Sequence, residues 1–218
     1  VAKKQKYTTP AGIAVYPHLN KPDTRAFKGK AVKPAWKVKL RLIGGEAEDF
    51  KEKIDSMVEV AYQEAVDEAK PKDKKKIERA YPYEEEYGDD DEPTGALIFN
   101  FKQNAVIPGR DGAPDTPVTI PLFNCATPAK LVMGAKVGGG STIRVSFTSR
   151  NYMMSSSMKA GITLDLAAVK IIDLVEFGVG TADSYGFGEE DEGFDSEPEE
   201  TPASATSNAQ EDNGEDDF

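Results

Sequence analysis

Between Trp36 and Leu42 the side chains alternate without a break, with Trp36, Val38, Leu40 and Leu42 on one face and Lys37, Lys39 and Arg41 on the other. A period of two is the mark of a half-buried strand, because successive side chains leave opposite faces of a pleated backbone. This segment must bury one face in a core and turn a row of cations outward. Gly44-Gly45 ends it. The fold around it therefore has to contain a sheet with a positively charged outer face.

Other segments read the same way. Leu97 to Ile107 sets Phe99 and Phe101 against Asn100, Lys102 and Asn104, and Pro108 to Gly112 then turns the chain. Val118 to Asn124 reads as a third strand, at an edge because Pro121 interrupts it. Ser141 to Thr148 places Ile143, Val145 and Phe147 opposite Arg144, Ser146 and Thr148, and Ile162 to Phe177 is a long fifth strand with a bend expected near Ala167-Ala168. The periodicity changes between Glu46 and Ala69, where Phe50, Ile54, Met57/Val58, Ala61 and Ala65 recur at helical spacing behind an acidic first turn. Pro71 stops that helix, and residues 70–93 read as a charged loop with Tyr81, Tyr83 and Tyr87 and a short helical turn at Asp73–Arg79. Residues 1–34, rich in Lys, Pro and Gly, read as an extended basic N-terminal arm. Five strands with one helical insertion predict a mainly β protein built on a small Greek-key barrel over residues 35–177.

Charge divides the 218 residues into blocks. Residues 1–45 carry 11 Lys/Arg and a single acid, Asp23; residues 46–93 carry 18 Asp/Glu and 8 Lys/Arg; residues 94–170 carry 8 Lys/Arg and 3 Asp/Glu. No Lys or Arg follows Lys170, and residues 178–218 hold 14 acids among Gly, Ser and Thr. That tail cannot join a core, since its few apolar groups would not offset the entropy of ordering it, and it is expected to be disordered. It ends Glu215-Asp216-Asp217-Phe218, an aromatic hook on an anionic line. The net charge of −11 hides a cationic body, so polyanion binding is not excluded. The lone Cys125 rules out an internal disulfide framework and fits a reducing compartment, and the start lacks the apolar run of a signal peptide.

Catalytic groupings are scarce. His18 sits beside Pro17 with no metal-binding partners nearby in sequence and reads as a surface residue; Cys125 has no base and reads as a buried thiol. Asp89 to Glu92 lacks the EF-hand glycine, and Gly178-Val179-Gly180 lacks the third glycine of a dinucleotide fingerprint. Gly138 to Ser141 would serve either as a phosphate-binding loop or as a tight connection. No metal, cofactor or enzymatic activity is expected. What remains is a binding surface. Cations on the outer faces of the strands would follow phosphates, and Tyr152, in phase with Arg144 and Arg150, would stack a base; Trp36 shares the core phase and is expected to pack. The tail would compete for the same cations until DNA displaced it and released Phe218 to dock elsewhere.

Several of these residues occur in an order that resembles the single-stranded DNA-binding protein family of the T7-like podophages. They are Ala2-Lys3-Lys4, Tyr16 followed by Lys21-Pro22-Asp23, Trp36-Lys37-Val38, the inserted helix, Phe99-Asn100-Phe101-Lys102, Gly138 to Ser141, Tyr152 at the position of the family's groove tyrosine, and the terminal Asp217-Phe218. The resemblance implies an OB-fold, a homodimer, a role in phage DNA replication and recombination in the cytoplasm of the infected host, and strand annealing. It also implies a replicative DNA polymerase and a helicase-primase as partners, contacted through the tail residues Glu215, Asp216, Asp217 and Phe218. Lys3, Lys4, Lys37, Lys39, Arg41, Lys102, Arg144 and Arg150 are the expected electrostatic contacts to DNA, with Tyr152 as the stacking residue. The sequence departs from the family's pattern where Asn104 replaces a groove tyrosine and Asn100 a lysine, and Val1 lies where an initiator methionine is expected just before it. The rival reading is an acidic interaction protein, or DNA mimic, that occupies a partner's nucleic-acid site.

Overall fold

The computed structural model describes residues 5–25, 32–109, 112–132 and 134–176. The expected contacts Lys3 and Lys4, and the tail with Glu215 to Phe218, lie outside the described residues. Strands β1 (Tyr7–Thr8), β2 (Gly12–Asp23) and β3 (Ala35–Ile43) lead into helix α1 (Gly45–Glu68). A short 3-10 turn at Lys74–Lys76 precedes β4 (Glu78–Ala80), β5 (Tyr83–Tyr87), β6 (Pro93–Asn104), β7 (Val106–Ile107), β8 (Thr116–Pro117) and β9 (Leu122–Phe123). Two long strands follow, β10 (Thr142–Met154) and β11 (Lys159–Asp173).

Five of these close on themselves. β2 pairs with β3, β3 with β6, β6 with β11, β11 with β10, and β10 again with β2. All the pairings are antiparallel except β6 with β11, which is parallel. A closed five-stranded barrel with a helix inserted between its second and third strands is an OB-like fold. The remaining short strands decorate its edges.

The inward residues are those the alternation marks: Val38, Leu40, Phe99, Phe101, Ile143, Val145, Phe147, Leu164 and Leu166 are all buried. Helix α1 begins after Gly44 in a left-handed conformation, carries Glu46 and Glu48 in its first turn, and buries Phe50, Ile54, Val58, Ala61 and Ala65. Phe50 sets its ring edge-on to Phe99 (4.8 Å between centroids) and Phe147 (6.0 Å), and Phe147 meets Phe101 at 5.3 Å. Such edge-to-face contacts add to the area each ring buries. The expected bend in the last strand is a bulge: Ser146 pairs with Ala168 but Phe147 with Leu166, so Ala167 is the extra residue. That slip lets Leu164 and Leu166 point inward before it and Val169 and Ile171 after it.

The structure changes four parts of the sequence reading. The first barrel strand is β2, inside the stretch expected to be an extended arm; it is extended, but paired along β3. Its pattern is broken by a second bulge, where Tyr16 and Pro17 together oppose Val38. Tyr16 takes φ 47°, which costs a non-glycine residue about 1–3 kcal/mol. In the segment expected as a strand from Val118, only β9 forms, parallel to β11 rather than as a barrel strand. The segment expected as a loop at 70–93 contains β4 and β5, with β4 on β11 and β5 on β6. Gly161 lets β4 approach, since a Cβ there would run into the Ala80 carbonyl oxygen. Cys125, expected to be buried, is exposed, and its thiol donates to the Ile171 carbonyl (3.1 Å).

Candidate nucleic-acid interface

Cross-strand register lays out the outer surface of the barrel. One row runs from His18 through Lys37 and Lys102 to Asp165 and Thr148; the next pairs Lys39 with Asn100 on one side and Thr163 with Arg150 on the other. A groove of about 800 Å³ follows these rows on the β6–β11–β10 side, lined by Asn100, Lys102, Asn104, Thr148, Arg150 and Tyr152, with the exposed Ile107 and Met154 as an apolar wall. Two adjoining hollows extend it towards β2 and share Asn100, Lys102 and Asn104 with it. They are lined by Tyr16, His18, Asp23, Arg25, Lys33, Lys37 and Lys39.

Along this run six Lys/Arg (Arg25, Lys33, Lys37, Lys39, Lys102, Arg150) face two carboxylates (Asp23, Asp165). Asp23, although only 6 % exposed, is fully partnered: Lys37 reaches it at 2.9 Å and Arg25 at 3.0 Å. Hydrogen bonds from the Arg25 guanidinium, then from Lys37 and the Arg25 backbone, hold its carboxyl far below the usual carboxylate range. It stays charged and fixes Lys37 at the groove wall. Arg150 forms a two-pronged pair with Asp165, Nε and Nη2 each at 3.0 Å, which raises its already high pKa. Tyr152 lies between them and the apolar wall, paired across the strands with Gly161, which has no side chain to cover the ring.

The expected contacts separate into groups. Lys37, Lys39, Lys102, Arg150 and Tyr152 are brought together. Lys102, between Lys37 and Asp165 in register, makes no ion pair among the described residues. Lys39 pairs with Glu84, and Arg41 with Glu86 at 2.8 Å, both carboxylates reaching over β6 from β5. Arg41 draws Glu86 below its ordinary pKa, with help from the Thr94 hydroxyl. Arg144 lies elsewhere: six residues from Arg150, about 20 Å along the strand, it lines a different hollow with Glu46, Asp49 and Lys53. Trp36 packs against the core and donates its indole N–H to the Val118 carbonyl (2.6 Å). The glycine loop is a tight connection, with Gly138 and Gly140 donating to the carbonyls of Val175 and Ala14.

Sequence reasoning missed the β2 end of the groove: Tyr16, His18, Asp23 and Arg25. His18 accompanies Arg25, its Nε2 3.0 Å from Nη2. One signal was present, since Asp23 is the sole acid among the first 45 residues and a lone carboxylate among eleven cations implies fixed partners. Among the described residues no helix is long and apolar enough to cross a membrane, and no three His, Cys, Asp or Glu side chains converge as a metal site.

Comparison with known proteins gives a consistent picture. The chain is 26 % identical to the single-stranded DNA-binding protein of Enterobacteria phage T3, over 88 % of this chain and 86 % of that one. Its fold matches the crystal structure of gp2.5, a single-stranded DNA-binding protein encoded by bacteriophage T7, with a TM-score of 0.65 and 22 % identity over 89 % of this chain and all of that one. It also matches the single-stranded DNA-binding protein of bacteriophage Enc34 in complex with ssDNA, with a TM-score of 0.52 and 13 % identity over 78 % and 88 % of the two chains. The profile of the family described as "Single-stranded DNA-binding protein, Bacteriophage T7" covers residues 11–174. With three quarters of its length so matched, the chain belongs to the family of the bacteriophage T7 single-stranded DNA-binding protein.

Proposed function

We propose that this protein coats single-stranded DNA, without sequence preference and without catalysis, during phage DNA replication and recombination in the infected host. The observation that carries the reading is the continuous groove from Arg25 to Tyr152, where six cations face two carboxylates beside an aromatic ring and an apolar wall. Cations that follow the phosphates and rings that accept any base are the two elements of sequence-tolerant single-strand binding. Lys37, Lys102 and Arg150 are the central contacts, with Tyr152 the stacking residue. Lys39 and Arg41 join them only where phosphate replaces Glu84 and Glu86. Lys3, Lys4 and Arg144 would extend the path beyond the groove.

The proposal extends to finer roles, which the charge pattern supports. The acidic tail competes with DNA for the groove, and Glu215 to Phe218, once released, recruit a replicative DNA polymerase and a helicase-primase. The protein works as a homodimer and promotes strand annealing. Removing Phe218 is expected to spare DNA binding and abolish capture of the polymerase; capture that survives the deletion refutes the hook.

Anisotropy of labelled oligo-dT titrated across salt tests the main reading. Binding should weaken with a log–log slope of about −0.7 per phosphate contact. The absence of binding, or binding indifferent to salt, would overturn it.

A further inference from the structure

A second tyrosine, Tyr16, stands at the opposite end of the groove from Tyr152. Tyr16 is 77 % exposed and stacks on no other ring among the described residues, yet its backbone is held in the left-handed region at φ 47°. Glycine, or less readily asparagine, suits that conformation; a bulky aromatic there is strained and gains little from burial. The bulge against Val38 turns the chain so that Tyr16 lines the hollow formed with His18, Arg25, Lys37 and Lys39. A strained residue with an open ring among cations is a reason to look for a ligand that uses the ring.

We infer that Tyr16 is a second base-stacking position, at which a nucleobase lies on its ring while the adjoining phosphate meets Arg25 and Lys37. The inference rests on the single-stranded DNA reading above. The ligand chemistry is that of a nucleotide: a flat apolar face for the ring, and an anion for the surrounding cations. Counted through β3, β6 and β11, Tyr16 and Tyr152 stand four strand spacings apart, about 19 Å along the sheet, with Lys102 between them. A strand laid in the groove would then be stacked at both ends and held by charge at the centre.

The test uses the full chain with Tyr16→Gly and Tyr16→Phe, against labelled oligo-dT and an abasic oligonucleotide of the same length at one salt concentration. Tyr16→Gly is chosen because glycine suits φ 47°, and a urea melt confirms that it folds. The inference expects Tyr16→Gly to bind oligo-dT at least about fivefold more weakly with abasic binding unchanged, and Tyr16→Phe to stay within about twofold of the parent. Equal binding of oligo-dT by Tyr16→Gly and the parent overturns the inference. So does an equal loss on both oligonucleotides, which would make the ring a structural part of the wall. Failure of the parent itself to bind oligo-dT is a different result, and it removes the single-stranded DNA reading on which the inference rests.

Discussion

The two ends of the groove solve different problems with the same backbone. At the β10–β11 end, Tyr152 stands beside the exposed Ile107 and Met154, and Arg150, two residues before it, is held by Asp165. At the β2–β3 end, Tyr16 stands among Arg25, Lys37 and Lys39, and one carboxylate, Asp23, serves two of those cations. The first end sets a ring beside one clamped cation, and the second sets a ring among three cations, two of them on one carboxylate. The contrast teaches that charge on a strand face is not free to bind until its partners are known. Four of the expected DNA contacts, Lys37, Lys39, Arg41 and Arg150, each already have a carboxylate within pairing distance.

The largest effect should come from a change that both ends share. Phe101 lies beneath the junction next to Lys102, and Phe101→Ala removes a ring that packs on Phe147 at 5.3 Å. A loss of about 3–5 kcal/mol of stability in urea unfolding is expected; a loss below about 1 kcal/mol would mean that the core does not unite the two ends. Next comes Tyr152→Ala, expected to cost about 1–3 kcal/mol of oligo-dT binding with an unchanged salt slope. Unaltered affinity would sink its stacking role. Lys102→Ala should act in the opposite way, with a modest loss of affinity and a salt slope shallower by about 0.7. An unchanged slope would place the phosphates elsewhere.

The smallest effect is one of pH, and it singles out the β2 end. The folded pKa values of Asp23 and Glu86 lie below their ordinary values because Arg25 and Arg41, respectively, donate to them first. A depressed folded pKa contributes stability that is present above the unfolded value, about 4, and is lost as pH falls through the folded one. Stability should therefore hold from neutrality to about pH 5 and decline below it. Asp23→Asn should flatten that decline. A decline identical in Asp23→Asn and the parent would show that the clamp contributes nothing.

Much of the barrel was legible in the sequence, for identifiable reasons. β3, β6 and β10 bury one face each, so Val38, Phe99 and Val145 announce their strands, and α1 shows its buried stripe at Phe50, Ile54 and Val58. The bulge at Ala167 was visible as a break in period. β2 was not legible, because Pro17, Pro22 and the bulge at Tyr16 destroy its alternation while pairing with β3 holds it extended. β5 hid for another reason. Tyr83 to Tyr87 reads as a charged loop until Lys39 and Arg41 are seen across β6 from Glu84 and Glu86, 45 residues away in the chain. Of the groove, the Tyr152 end followed from strand phase. The Tyr16 end needed the fold, since only the closed barrel brings Tyr16 and Asp23 to Lys37, Lys39 and Lys102.

The most direct test of the groove as the single-stranded DNA site compares the whole chain with one ending at Phe177, each titrated into labelled oligo-dT at low and high salt. Tighter binding by the shortened chain, still weakened by salt, is the predicted result, because the barrel would keep its cations and lose the 14 acids proposed to compete for them. No binding by either chain would contradict the account and favour an acidic protein that occupies another protein's nucleic-acid site.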